Sequence, residues 1–427
     1  MDILVLGNGF DLAHGLPTGY INFLEFCERV MPIYKEEEEK QDFYFMRKVL
    51  EDWEINNEIK DYLDEAFKSR KRNSKMEYQT KYPGLDELFS LIDNNIWFYY
   101  FIQCDRHGKE NWVDFESEIS NVIKSITEAM EKYNISLYKT VYNFRDGNSY
   151  ELPIKYEIIL DIIEECKEIK LLGNVTYLEI KNYLLDDLNR LTRALEIYLT
   201  EVIGKVRIEK MSSDIIDIVN PSIKVLNFNY TNTYIKEYYY NEINIDYIHG
   251  KARKDNTVED NNMVLGIDEY LPEDRRNKDT EFINFKKYYQ RIYKGTGCKY
   301  KEWVSVIHED FQEYKMELEK INMYKDNIFP MKQRAKEIKN NYLNKHNLYI
   351  FGHSLDITDK DILRDLILND NVHTTIFYHS KEELGRKIAN LVKVIGQDEL
   401  IKRTSGGNRP VMEFVPQSDM KIKAEIS

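Results

Sequence analysis

The stretch Leu4-Val5-Leu6-Gly7-Asn8-Gly9-Phe10-Asp11 constrains this chain more than any other. Three apolar residues run into two glycines separated by one residue, and an acid follows. A short continuous apolar run reads as a buried strand. The glycines permit a tight turn and close backbone approach, and Asp11 is placed to cap a following helix. A strand, a glycine turn and a helix start together form a geometry whose free N–H groups suit a phosphate. The same residues also fit a strand-to-helix turn without a ligand. The dinucleotide pattern G-x-G-x-x-G is incomplete, because Leu12 stands where its third glycine belongs.

Four further short apolar runs read as strands: Lys224–Asn229, Ile245–Gly250, Met263–Gly266 and Asn347–Phe351. His373–Tyr378 and Met412–Val415 complete the set. Helical patterns separate them: from Tyr20, through the Trp112/Phe115/Ile119/Val122/Ile123 and Leu184/Leu188/Leu191/Leu195/Leu199 spacings, after Asn232 through Tyr240, from about Thr358, and from Lys381 to Val394. Buried strands alternating with helices predict an α/β fold with a doubly wound parallel, Rossmann-like sheet and large helical insertions. The expected division is 1–30 with 220–270 and 346–427 as the nucleotide-binding domain, 31–219 as a helical insertion domain and 271–345 as a second helical insertion.

The net charge of −14 over 427 residues argues against nucleic acid as a partner. No apolar stretch approaches the ~20 residues needed to span a bilayer. No secretory leader is expected, and the scattered Cys27, Cys104, Cys166 and Cys298 suit reduced thiols, so a cytoplasmic location is expected. Cys104 and His107 have a ligand-like spacing but no second pair completes it, so no metal is expected.

In open α/β sheets, ligands sit beyond the carboxyl ends of the strands. Four such ends carry polar motifs: Gly7-Asn8-Gly9 with Asp11, then Asn229, then His249-Gly250, then Gly352-His353-Ser354. The segment Leu6-Gly7-Asn8-Gly9-Phe10-Asp11-Leu12-Ala13-His14-Gly15-Leu16-Pro17-Thr18-Gly19-Tyr20 closely resembles the opening signature of the AbiH family of bacterial abortive-infection proteins. Trp112-Val113-Asp114-Phe115-Glu116, and Phe351-Gly352-His353-Ser354-Leu355 followed by Asp359, look like the same family. The order of motifs is also similar to that of sirtuin-like NAD-binding domains. That resemblance implies a glycine turn that cradles the phosphates of NAD, Asn229 and His249 as catalytic residues, and Gly352 with Ser354 beside the dinucleotide. Two residues depart from the sirtuin pattern. Asp11 stands where sirtuins carry a small hydroxyl residue, and Thr231 stands where an acid is usual. Sirtuin-like domains of bacterial defence systems resemble the chain better, and they imply an NAD glycohydrolase.

The residue types suit that chemistry. Nicotinamide leaves NAD as a neutral molecule, so the site must stabilise an oxocarbenium-like transition state and aim a water. Asn229 offers amide donors and an acceptor. His249 offers a base. The residues expected to bind NAD are Gly7, Asn8, Gly9, Phe10, Asp11, Thr18, Gly352, His353, Ser354 and Asp359. The expectation is thus an antiphage effector that binds and hydrolyses NAD, with a phage-derived trigger and homo-oligomerisation compatible with the role. The residues leave alternatives open. Asn229 also suits a plain turn and His249 a structural hydrogen bond, while His14 reads as a helix residue. A nucleotide-binding sensor without turnover fits the same motifs. So does a serine hydrolase using Ser354 with Asp361 or Asp365 and His373 or His379, although Asp356 replaces the last glycine of the G-x-S-x-G elbow.

Overall fold

The structure is a computed structural model and describes residues 1–39, 52–73, 82–107, 114–134, 136–138, 153–171, 174–238, 244–323, 329–343, 345–405 and 410–423. The chain forms two compact units. One comprises Met1–Leu16, Ile208–Gly250 and Gly295–Ser427, and the other Pro17–Arg207 and Lys251–Lys294.

The first unit is built on a six-stranded sheet of β1 (Asp2–Leu6), β3 (Lys224–Asn227), β4 (Ile245–Tyr247), β5 (His346–Phe351), β6 (Val372–Tyr378) and β7 (Met412–Pro416). Their order across the sheet is β4-β3-β1-β5-β6-β7, and every neighbouring pair is parallel. This is the doubly wound, Rossmann-like arrangement. The strand order reverses direction between β1 and β5, whose registers run Val5 to Ile350 and Leu6 to Phe351. β2 (Lys210–Ser212) pairs antiparallel with β8 (Met420–Ile422) as a separate ribbon.

Alternation along each strand explains why both faces are covered. Ile3, Val5, Leu226, Leu348, Ile350 and Ile376 face a core closed by Trp303 and Ile307, by Ile362 and Leu366 of the helix Lys360–Ile367, and by Leu391 of the helix Lys381–Ile395. Leu4, Leu6, Val225, Ile245, Phe351 and Phe377 face the opposite core, which includes Phe10, Ile215 and Tyr234. Every residue from Ile3 to Leu6 is buried, and burying each such side chain contributes roughly 1.5–3 kcal/mol.

The second unit is mainly helical. Phe115 opens the helix Phe115–Lys132, is capped by Asp114, and stacks on Phe101 at 4.0 Å and on Tyr20 at 4.4 Å. Glu116 pairs with the buried Lys287 at 2.6 Å. Trp112 lies outside the described residues. The helix Tyr177–Ile197 starts with a Thr176/Glu179 capping box and passes into a π-helical turn, Tyr198–Val202. The buried Arg193–Glu196 pair, at 2.7 Å, pins the stretch after Gly250 to this helix. Arg253 N–H, Asn256 and Asn261 all donate to Glu196.

Several sequence expectations are corrected. Met263–Gly266 is not a strand. It is an irregular buried segment whose Leu265 carbonyl accepts from Gln290, and its apolar residues serve burial without a ladder. Residues 251–294 belong to the helical unit and 295–345 to the sheet unit, because the first are held by Glu196 and the second bring Tyr300, Trp303 and Ile307 to the sheet core. The helix after Asn232 is short, Thr233–Glu237, and Tyr239–Tyr240 lie outside the described residues. Among the described residues no helix is long and apolar enough to cross a membrane.

Candidate functional site

The turns after β1 and β5 meet where the strand order reverses. Gly7 donates its N–H to the carbonyl of Phe351 at 3.0 Å, and Gly9 to that of Gly352 at 2.8 Å. A Cβ at Gly7 would lie 2.5 Å from the Cα of His353, and one at Gly352 would lie 2.2 Å from the nitrogen of Phe10. Gly352 also has φ of +68°. The glycines therefore let two backbones interlock, and two of their N–H groups are spent on that contact. Asn8 is the exposed tip of the first turn.

The helix Asn8–Ala13 begins immediately, with Gly7 as its N-cap and no side-chain cap. This corrects the expectation for Asp11. The helix starts too early for Asp11 to cap it, so the carboxylate lies within the first turns and reaches across to the turn after β3. Thr231 donates its hydroxyl to Asp11 Oδ2 at 2.6 Å, and Asp11 is fully buried. Burial pushes its pKa up to about 6, against the opposing pull of the Thr231 and Thr233 hydroxyls. Asp11 Oδ1 has no hydrogen-bond partner. His14 closes the same helix. Its Nδ1 contacts the Phe10 carbonyl at 2.6 Å and its Nε2 the Tyr238 hydroxyl at 2.7 Å. His14 is thus a buried structural residue.

The turn after β3 is shaped by Asn227, which sequence reasoning passed over. Its side-chain oxygen accepts from the Asn229 N–H at 3.0 Å, and its amide donates to the Thr231 carbonyl at 3.3 Å. The spacing Asn227-x-Asn229 was its only signal. The fixed turn buries Asn229, which donates Nδ2 to the carbonyl of Gly7 at 3.0 Å. Its side-chain oxygen has no partner. A buried acceptor in that state is costly unless something donates to it.

His249, beyond β4, is buried with its Nε2 3.4 Å from Asp359 Oδ1. His353, beyond β5, places its Nε2 3.5 Å from Asp359 Oδ2. Phe228 sets its ring against both imidazoles, with centroids 5.4 Å from His249 and 4.3 Å from His353. Asp359 reaches them from the 3-10 turn Ile357–Asp359, which is capped by Asp356 and leads into the helix Lys360–Ile367. One carboxylate thus lies within 3.5 Å of two histidines that follow different strands. Among the described residues no group of His, Cys, Asp and Glu gathers as a metal site would require.

Ser354 is exposed. His373 sits opposite Asn347 at the amino end of β6, across the sheet from Ser354. His379 is engaged by Glu383, and Asp365 by Lys301. The strand direction therefore keeps His373 away from Ser354. Thr18 is buried in the helical unit.

The family model described as "Bacteriophage abortive infection AbiH" matches residues 3–379. The chain belongs to the AbiH family. No curated protein and no solved structure matches it. Membership implies a role in phage abortive infection. The match runs from β1 past the end of β6, so the interlocked glycine turns and the His249–Asp359–His353 cluster all lie within the AbiH region.

Proposed function

We propose that this AbiH chain is an abortive-infection effector that binds NAD and hydrolyses its nicotinamide–ribose bond. The observation that carries the reading is the placement of Asn229 and His249 beyond the adjacent strands β3 and β4, with Asn229 tied to the first glycine turn through the Gly7 carbonyl. The crevice where a doubly wound sheet reverses its strand order is where such folds take nucleotides. In this reading the pyrophosphate lies over the exposed tip at Asn8, and the reacting ribose lies beside Asn229 and His249. The residues fit the ligand in one specific respect. The unpartnered Asn229 oxygen suits a carboxamide N–H or a ribose hydroxyl.

The reaction breaks the C1′–N bond, and its electron pair leaves with nicotinamide. Water oxygen bonds to C1′ and its proton passes to His249. The carboxylate of Asp359 beside that histidine favours the resulting imidazolium. Asp11 is turned into the protein towards Thr231 and does not oppose the phosphates. Asp11 and Thr231 are also the two positions at which the chain departs from the sirtuin pattern. They form an acid–hydroxyl pair of their own.

The test is incubation of full-length protein with NAD, alone and with phage lysate, following nicotinamide and ADP-ribose. Release is expected, with a drop of about 10²–10⁴-fold in His249→Ala and Asn229→Ala. Full activity in both variants overturns the catalytic assignment, and NAD binding without release in every condition replaces hydrolysis with sensing.

A further inference from the structure

Asp359 touches two histidines at once, and one of them is fixed by the backbone. Leu355, held at φ +60°, donates its N–H to His353 Nδ1 at 2.9 Å. That bond places the lone pair of His353 on Nδ1, so the neutral ring carries its proton on Nε2. Nε2 is the atom beside Asp359 Oδ2, and the other carboxylate oxygen faces His249 Nε2. An ionised carboxylate only accepts, so its negative charge within 3.5 Å of each Nε2 favours the proton-on-Nε2 form of both rings. Phe228 lies edge-on to both imidazoles and limits their rotation.

We propose that His353 and Asp359 are positioning residues that hold His249 in its Nε2–H tautomer, making Nδ1 the basic atom of the site. The consequence for catalysis rests on the reading of His249 as the base, whereas the tautomer itself does not. The order of the relay runs from the Leu355 N–H to His353, to Asp359 and to His249. The proton taken from water goes to Nδ1, and Asp359 balances the imidazolium through Nε2. A carboxylate that orients a histidine from its far nitrogen is a general device for setting a base.

The relay makes an asymmetric prediction for Asp359→Asn. The amide has one accepting and one donating end. His353 is pinned by Leu355 and still needs an acceptor at Nε2, so it takes the amide oxygen. The NH₂ end then faces His249 and forces its proton onto Nδ1. In the double variant Asp359→Asn with His353→Phe, the amide is released to turn its oxygen to His249, and the Nε2–H form returns.

The experiment uses full-length protein labelled with ¹⁵N-histidine, at about pH 8, above the ordinary histidine pKa of ~6.5. Two-bond ¹H–¹⁵N correlations report which nitrogen of His249 is protonated, with its signals assigned by their loss in His249→Gln. The expected pattern is Nε2–H in the native protein, Nδ1–H in Asp359→Asn and Nε2–H again in the double variant. Nicotinamide release is expected to fall about 10²–10⁴-fold in the single variant and to recover in part in the double variant. A native His249 protonated on Nδ1, or a folded Asp359→Asn protein that keeps Nε2–H, overturns the proposal. If the single variant does not fold, the native tautomer decides alone. A native protein with the expected tautomer that neither binds NAD nor releases nicotinamide removes the NAD reading and leaves the relay standing.

Discussion

Thr231 donates a hydrogen bond of 2.6 Å to Asp11 across 220 residues of sequence. The bond ties the helix after β1 to the turn after β3, beside the Asn229 amide that ties that turn back to Gly7. The carboxylate is fully buried and only one of its oxygens is hydrogen-bonded, so its protonation state matters to stability.

The pH dependence of Asp11 has a definite sign. Its pKa rises from 3.8 to about 6 on folding, chiefly because burial disfavours the charged form. The folded state therefore holds the proton more tightly. Asp11 costs nothing below 3.8, and its penalty grows between that value and about 6, levelling off near 3 kcal/mol. Urea unfolding from about pH 4 to 7.5 should show Asp11→Asn gaining stability relative to the native protein as pH rises. A constant difference across the range would contradict this.

Thr231→Val removes the hydroxyl that holds the carboxylate. The loss is expected to be about 1.5–3 kcal/mol at neutral pH, the range for a hydrogen bond to a charged group. It should shrink near pH 4, where the carboxyl is protonated. The combined Asp11→Asn, Thr231→Val protein should lose less than the sum of the two, as paired groups do. Chemical denaturation of the four proteins checks both points.

Gly352 and Gly15 both have positive φ, +68° and +76°, but their surroundings differ. A methyl group at Gly352 meets the backbone of Phe10 and Gly9, whereas one at Gly15 meets nothing within 4 Å. Gly15→Ala should cost about 1 kcal/mol from backbone strain alone. Gly352→Ala should cost upwards of ~3 kcal/mol, because neither turn can retreat without breaking the Gly9–Gly352 bond. Melting temperatures of the pair test whether the interlocked turns matter beyond φ.

Tyr238 joins two elements through its hydroxyl. It accepts the Ser212 N–H at 2.6 Å and meets His14 Nε2 at 2.7 Å. Tyr238→Phe leaves both partners unsatisfied and should cost about 2–4 kcal/mol. Burial lowers the His14 pKa, so the folded protein binds this proton less tightly than the unfolded chain does. The contribution of His14 is present above the unfolded value of 6.5 and is lost as pH falls through the folded one. His14→Asn should therefore flatten the acid side of the stability profile.

The local elements were legible because their signals are local. Short apolar runs that end at Gly7, Asn229, Gly250 and Gly352 marked the strands and the polar strand ends. Helical spacing marked Phe115–Lys132 and Tyr177–Ile197, whose apolar stripes are buried as that spacing requires. Met263–Gly266 was misread because a buried irregular segment and a buried strand leave the same run of apolar residues.

By itself, the sequence located the six strands of the main sheet, and determined that the sheet is parallel and doubly wound and which side chains stand at the strand ends. The tertiary structure decided what those side chains touch. Asp11 faces Thr231 rather than a helix end, Gly352 interlocks with Gly7 and Gly9, and Asp359 lies within 3.5 Å of both His249 and His353. The physical reason is that strand and helix periodicity is written within a few residues. Contacts between strand ends depend on the order β4-β3-β1-β5-β6-β7, which arises only when separate segments of the chain bury their apolar faces against one another.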